Sequence, residues 1–261
     1  MKALATRAAR SLRARARHVA DRVGPRADEQ RVIAEAADYW TSPTARAWPG
    51  NSHWREGIPD HFDRVGREHL ALFDKLARVL DAPPASARIV EWGSGGGANA
   101  VAFAPRAAEF VAVDVARGSL DECARTVGSV CDTPVRPVLI DVADPESAVA
   151  TIGPGSCDIF LCLYVIELVP SRDYAARILD IAARLLAPTG VVFVQIKYRD
   201  SENRSPHRRN YGRNLASQTI FPIDAFWQLA RERGLAPEAM TLVPDTDLDK
   251  NYAYFLLTLA R

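Results

Sequence analysis

Glu91, Gly93, Gly95 and Gly97 stand at alternate positions in the segment Ile89-Val90-Glu91-Trp92-Gly93-Ser94-Gly95-Gly96-Gly97. Glycines are needed where a backbone must approach a ligand closely, because a Cβ would block the approach or forbid the dihedrals of the turn. Asp114 lies 21 residues beyond Gly93, where its carboxylate can accept hydrogen bonds from both hydroxyls of a ribose. A further acid in Leu139-Ile140-Asp141-Val142 can accept from the amino group of an adenine. Glu91 discriminates between ligand classes. A carboxylate just before the glycines does nothing for a pyrophosphate, but it suits a ligand bearing an ammonium or sulfonium cation.

These groups fall where alternating strands and helices would place them. Strands are expected at 88–92, 109–114, 135–140, 157–164 and 190–197, with helices near 98–105, 117–130, 145–151 and 172–187. Short apolar runs separated by helices argue for a parallel sheet covered on both faces, and such sheets bind ligands at the carboxyl ends of their strands. The tail departs from this alternation. A helix over 222–234 precedes strands near 239–243 and 251–260, and the gap of about eight residues is too short for a helical crossover. The last strand is therefore expected to run antiparallel to its neighbour. Ahead of the sheet, 28–40 reads as a helix capped by Asp28, and a second helix runs from Asp60 to about Leu80. The organisation expected is a basic arm over 1–26, a helical lid segment over 27–84 and an α/β domain over 85–261.

With 261 residues and a hydrophobic fraction of 48%, the chain can bury a substantial core, and its net charge of +1 demands neither nucleic acid nor an acidic surface as partner. The balance hides an asymmetry: residues 1–26 carry eight basic side chains against Asp21 alone, leaving a net −6 on the remainder. The plainer reading of this Arg/Ala-rich arm is a basic surface helix; contact with anionic lipid, nucleic acid or an acidic partner is the alternative. Its apolar face is mostly alanine, so stable membrane insertion is not expected. Cys123, Cys131, Cys157 and Cys162 form no Cys-x-x-Cys pair, and free thiols in a reducing cytoplasm are the simplest account. No metal-ligand set is apparent.

The glycine pattern alone leaves two readings, because Gly93-x-Gly95-x-x-Ala98 also satisfies a dinucleotide fingerprint. Glu91, Asp141 and the antiparallel end of the sheet favour the other. From about residue 88 onward the chain resembles the class I S-adenosylmethionine-dependent methyltransferases, through Glu91-Trp92-Gly93-Ser94-Gly95-Gly96-Gly97, Val113-Asp114, Ile140-Asp141 and Cys157-Asp158-Ile159-Phe160-Leu161-Cys162-Leu163-Tyr164. The resemblance implies an α/β, Rossmann-like seven-stranded sheet with helices on both faces and an antiparallel last strand. It implies S-adenosylmethionine as cofactor, with its methionine part on Gly93, Ser94, Gly95 and Gly97, its amino group held by Glu91, its ribose by Asp114, and its adenine by Asp141 and the amide of Val142. Leu163 to Glu167, at the far end of the fourth strand, would face the methyl group, and Asp158 would stabilise the fold.

An oxygen nucleophile usually needs a base for its proton, whereas an amine needs only to be neutral. The candidates at the strand ends are Glu167, whose plainer role is a helix start or a surface acid, Tyr164, which can orient an acceptor or line the cofactor pocket, and Lys197-Tyr198; His53, His61 and His207 are further bases. The absence of Asn-Pro-Pro-Tyr after the fourth strand argues against methylation of a base amino group or a glutamine. Two segments are expected to build the acceptor pocket: the lid, with Tyr39, Trp40, Trp48, His53 and Trp54, and the stretch Arg199 to Phe221, whose Arg199, Arg204, Arg208, Arg209 and Arg213 suit a carboxylate- or phosphate-bearing acceptor. The expectation is methyl transfer to an oxygen, and in second place a nitrogen, of a small molecule such as a sugar or polysaccharide precursor or a specialised metabolite. An RNA or protein methyltransferase, an NAD(P)-linked oxidoreductase and a non-catalytic cofactor-binding protein are the alternatives. Against the oxidoreductase, no Tyr-x-x-x-Lys pair is found.

Overall fold

The computed structural model describes residues 28–41, 61–81, 88–199, 218–245 and 250–260. Its elements in chain order are α1 (Glu29–Thr41), α2 (His61–Ala77), β1 (Arg88–Trp92), α3 (Ala100–Phe103), β2 (Glu109–Asp114), α4 (Arg117–Gly128), β3 (Val135–Leu139), α5 (Ser147–Ile152), β4 (Cys157–Cys162), α6 (Arg172–Leu185), β5 (Leu186–Lys197), α7 (Ile223–Glu232), β6 (Leu235–Asp245) and β7 (Lys250–Leu259).

The seven strands form one sheet in the order β3-β2-β1-β4-β5-β7-β6. The pairs β1–β2, β1–β4, β2–β3 and β4–β5 are parallel, and β7 runs antiparallel to both β5 and β6. The hairpin expected at the C-terminus is therefore present, and only its last strand reverses. The inner strands are mostly apolar because both faces are covered, as in Phe110–Val113 of β2 and Ile159–Cys162 of β4, while Glu91 in β1 and Gln195 in β5 are buried polar exceptions. One face meets α1, α5, α6 and α7 through Val32, Val149, Ile178 and Phe226; the other meets α2, α3 and α4 through Phe73, Phe103 and Leu120. Pro137, Pro237 and Pro244 lie in β3 and β6, the two edge strands, where a missing N–H is tolerated, and Pro188 lies near the start of β5, ahead of Val191 where its pairing with β7 begins.

Local chemistry sets the element ends. Asp28 Oδ1 accepts from the Gln30 N–H at 3.1 Å, the cap expected for α1. Ser171 caps α6 by accepting from the Tyr174 N–H. The helix expected over 98–105 is shorter: it spans Ala100–Phe103 and tightens into a 3₁₀ turn at Ala104–Arg106, where Pro105 has no N–H to continue it. Strand five begins at Leu186, directly after α6, rather than at 190. Asp158 Oδ2 accepts from the Arg88 N–H at 2.8 Å, tying β4 to the start of β1 in the stabilising role expected of it. All four cysteines are free thiols, and among the described residues no helix is long and apolar enough to cross a membrane.

The order of strands reverses between β1 and β4. The connections from β1 run toward β3, whereas β4 lies on the other side of β1. The loops leaving these two strands diverge and open a crevice at their carboxyl ends, as expected in open α/β sheets.

Candidate active site

A cleft of about 1150 Å³, including its open mouth, occupies that crevice. Its floor is the turn after β1: Gly93, Ser94, Gly95, Ala98 and Asn99. Gly93, Gly95 and Gly97 all have positive φ, at 72°, 50° and 94°. A Cβ at Gly93 would stand 2.4 Å from Val165 Cγ2, so the turn after β1 and the bend after β4 are in direct contact. The backbone can make this turn, and can come this close, only with glycine.

Asp114, at the end of β2, reaches across to hold the turn. Its Oδ2 accepts from the Gly95 N–H at 2.9 Å, and its Oδ1 from the Ala116 N–H at 2.9 Å. It lines the cleft, and each carboxylate oxygen keeps a second lone pair for a ligand hydroxyl. Burial raises its pKa, and the backbone hydrogen bonds oppose the shift.

Glu91 lies beneath the turn, 1% exposed. Asn99 Nδ2 donates to its Oε1 at 2.9 Å, while Oε2 is buried with no hydrogen-bond partner among the described residues. Burial pushes this carboxyl up to about 8; the Asn99 bond opposes the shift and Asp114 adds to it. Glu91 does not itself line the cleft but lies directly under its floor, where a cation brought to the turn would favour its carboxylate form, so an ammonium group beside a ribose is compatible with the residues present.

The third acid does not join them. Asp141 is exposed, and its Oδ1 accepts from the Ala143 N–H at 2.8 Å in a local turn. Its neighbours Ile140 and Val142 form the wall instead, because side chains alternate between faces as β3 ends. An aspartate two residues before an N–H it can reach satisfies that N–H first.

The opposite wall follows β4. Leu163, Tyr164, Val165, Leu168 and Val169 line it. Tyr164 has a φ of 58°, and its N–H donates to the buried Gln195 Oε1 at 2.7 Å, which holds the bend in this sparsely populated conformation. Segment 218–221 pins the turn that follows: the Thr219 N–H donates to the Glu167 carbonyl, and its hydroxyl to the Val169 carbonyl at 2.8 Å. Glu167 itself is neither at a helix start nor on the surface. It is buried within that turn, and it is not part of the cleft wall.

Both N-terminal helices reach the cleft. Ala36 and Trp40 of α1 and Val65 of α2 complete its lining. Tyr39 packs edge-on against Trp40, with ring centroids 4.9 Å apart. Trp48, His53, Trp54, Arg204, His207, Arg208, Arg209 and Arg213 lie outside the described residues, as does the arm over 1–26. Among the described residues no three His, Cys, Asp or Glu gather as a metal site.

Beside Tyr164 the sheet carries polar side chains that motif reading did not connect. His69, Asn99, Gln195, Lys197, Tyr252 and Tyr254 are all buried at the carboxyl edge of β5 or around it. Lys197 Nζ stands 5.4 Å from the ring centroid of Tyr252, which packs at 5.2 Å against Tyr164. One signal for this cluster was available: His69 interrupts the apolar face Val65–His69–Phe73 of α2.

The comparisons with known proteins agree with this geometry. A family model described as a methyltransferase domain matches residues 64–239. Among solved structures, an S-adenosylmethionine-dependent methyltransferase from Leishmania major superposes with a TM-score of 0.61 at 18% identity, covering 87% of this chain and 82% of that one. The magnesium protoporphyrin IX methyltransferase of Synechocystis PCC 6803, with bound S-adenosylhomocysteine, gives 0.60 at 15% identity, covering 87% and 99%. The N-methyltransferase NodS of Bradyrhizobium japonicum WM9, also with S-adenosylhomocysteine, gives 0.57 at 15% identity, covering 82% and 100%. No curated protein sequence matches significantly. The match over more than half of the chain, on a fold with this glycine turn, decides between the two nucleotide readings: the chain belongs to the class I methyltransferases that use S-adenosylmethionine.

Proposed function

We propose that this methyltransferase acts on an oxygen, and in second place a nitrogen, of a small polar molecule. The observation that carries the reading is the buried polar wall beside the cleft: Tyr164 on its surface, with Gln195, Lys197, Tyr252 and Tyr254 behind it. Such a wall, at a cleft covered by α1 and α2, suits a small acceptor held by a few placed polar groups rather than a long polymer lying across an open face. Sugar or polysaccharide precursors and specialised metabolites are the preferred acceptors. The arginines around residues 199–213 favour those bearing phosphate or carboxylate.

Gly93, Ser94, Gly95 and Gly97 receive the methionine part of the cofactor, and the lone oxygen of Glu91 takes its ammonium. Asp114 binds the ribose with the lone pairs left by its two backbone bonds. Ile140, Val142 and Leu163 give the adenine its apolar walls. When bound, S-adenosylmethionine supplies a methyl group on a sulfonium, a good leaving group. The protein's task is then to align the nucleophile and exclude water. Trp40, Ala36 and Val65 exclude water, and Tyr164 orients the nucleophile. Glu167 and His53 are further candidates for receiving a proton.

Incubation of the purified protein with radiolabelled S-adenosylmethionine and separate pools of nucleotide-linked sugars, hydroxylated metabolites, RNA and protein tests this. Label is expected in a hydroxylated small molecule; label in RNA or protein alone overturns the reading.

A further inference from the structure

Glu91, Asn99, His69, Tyr254 and Tyr164 form one hydrogen-bonded chain from beneath the glycine turn to the cleft wall. Asn99 Nδ2 donates to Glu91 Oε1 at 2.9 Å, Asn99 Oδ1 meets His69 Nδ1 at 2.7 Å, and His69 Nε2 meets the Tyr254 hydroxyl at 3.0 Å. Tyr254 is in turn hydrogen-bonded to Tyr164. The members come from β1, the segment after the turn, α2, β7 and the bend after β4, so only the tertiary fold assembles them. Glu91, Asn99, His69 and Tyr254 are all buried, so bulk water does not break the sequence of donors.

A chain of this kind has a direction. An ionised carboxylate only accepts. Asn99 then gives its amide N–H to Glu91 and its carbonyl to His69, so His69 carries its proton on Nδ1 and leaves Nε2 as an acceptor. The single proton of Tyr254 goes to Nε2, and the proton between the two phenols must come from Tyr164. Every donor points toward Glu91, and the Tyr164 oxygen is left able to accept and unable to donate. A protonated Glu91 permits the reverse: its O–H to the Asn99 carbonyl, the amide to His69 Nδ1, Nε2–H to Tyr254, and a donating Tyr164. The charge on Glu91 selects between two arrangements, which differ in their protons and in a half-turn of the Asn99 side-chain amide. Burial favours the neutral carboxyl, and a neighbouring cation favours the carboxylate. Other titratable groups act on the same chain: Asp114 on Glu91, Glu167 and Tyr252 on Tyr254, and Lys197 over the Tyr252 ring.

We propose that Tyr164 accepts a hydrogen bond from the O–H or N–H of the incoming nucleophile, and that Asn99, His69 and Tyr254 are positioning residues that impose this polarity when the ammonium of the bound methyl donor ionises Glu91. The proposal rests on the reading of Glu91 given above. It makes the protein selective for nucleophiles that still carry a proton, and it makes that selection follow cofactor binding.

The tautomer of His69 reports the direction without any acceptor molecule. The full-length protein, labelled with ¹⁵N-histidine, is observed by NMR at neutral pH, free and with S-adenosylhomocysteine, which retains the ammonium. With the ligand bound, His69 is expected as Nδ1–H with a bare Nε2. Without it, at a pH below the Glu91 transition, the Nε2–H form is expected to gain population. Asn99→Leu, checked for folding by circular dichroism, is expected to return a tautomer mixture in both states. An Nε2–H or doubly protonated His69 in the complex, or a tautomer indifferent to the ligand, overturns the proposal; the wild-type comparison suffices should Asn99→Leu not fold. Calorimetry on the same sample separates the two levels. No binding of S-adenosylhomocysteine overturns the Glu91 assignment beneath both readings, whereas binding with the wrong tautomer overturns only this one.

Discussion

A Cβ at Gly66 would stand 2.2 Å from the carbonyl oxygen of Ala98. Helix α2 therefore meets the segment after the glycine turn backbone against backbone. The same helix sets Val65 on the cleft wall and His69 against Asn99. Gly66→Ala should force the two apart, costing about 1–3 kcal/mol as overpacking does and weakening cofactor binding. Urea denaturation and calorimetry with S-adenosylmethionine check both effects; an unshifted midpoint would mean that α2 moves without penalty.

Asp114 has two duties, holding Gly95 and facing the cleft. Asp114→Ala should weaken cofactor binding at least about tenfold, since hydrogen bonds to charged groups contribute about 1.5–3 kcal/mol. The domain should stay folded. Affinity equal to wild type in a folded variant removes Asp114 from the ribose role.

The Glu91 carboxyl has an ordinary value of 4.5 and is pushed up to about 8 in the folded chain. Between these values the folded, ligand-free protein holds a proton that the unfolded chain has released. The associated stability is complete below 4.5 and declines as pH rises toward 8. Cofactor affinity should have the opposite slope. If its ammonium meets Glu91 as proposed, it needs the carboxylate, so binding should tighten with pH by at most about tenfold per unit and level off once Glu91 ionises unaided. Melting temperature and calorimetry across that window, on wild type and Glu91→Gln, should give two slopes in the first and neither in the second from this residue.

Tyr164 and Glu167 are three residues apart, yet only Tyr164 lines the cleft. Tyr164→Phe should lower kcat more than it alters cofactor affinity. Glu167→Gln should also slow turnover more than it weakens cofactor binding if Glu167 receives the proton through the buried cluster. A wild-type rate for Glu167→Gln would leave that role to Tyr164 and its neighbours. Steady-state kinetics with the acceptor found in the screen, beside calorimetry for the cofactor, separates these outcomes.

Much of this was legible in the residues themselves. The apolar runs at 110–113 and 159–162 marked strands buried on both faces, because a parallel sheet leaves no polar face. The short gap before the last strand dictated a hairpin, since a crossover needs more chain. That the glycine turn and Asp114 share one cleft was legible because a strand, a glycine turn and an acid at the end of the next strand follow at fixed spacings along one β-α-β unit. The third dimension decided the rest. Whether Asp141 faces the cleft or satisfies the Ala143 N–H depends on which way β3 ends, and spacing carries no such information. Glu167 is buried because segment 218–221, some fifty residues later, closes over its turn. The chain from Glu91 to Tyr164 joins positions 69, 91, 99, 164 and 254, whose hydrogen bonds exist only once α2, β1 and β7 have packed. Local sequence sets periodicity and turn chemistry; which side chains face the cleft, and which buried polar groups meet one another, are set by contacts between residues far apart in the chain.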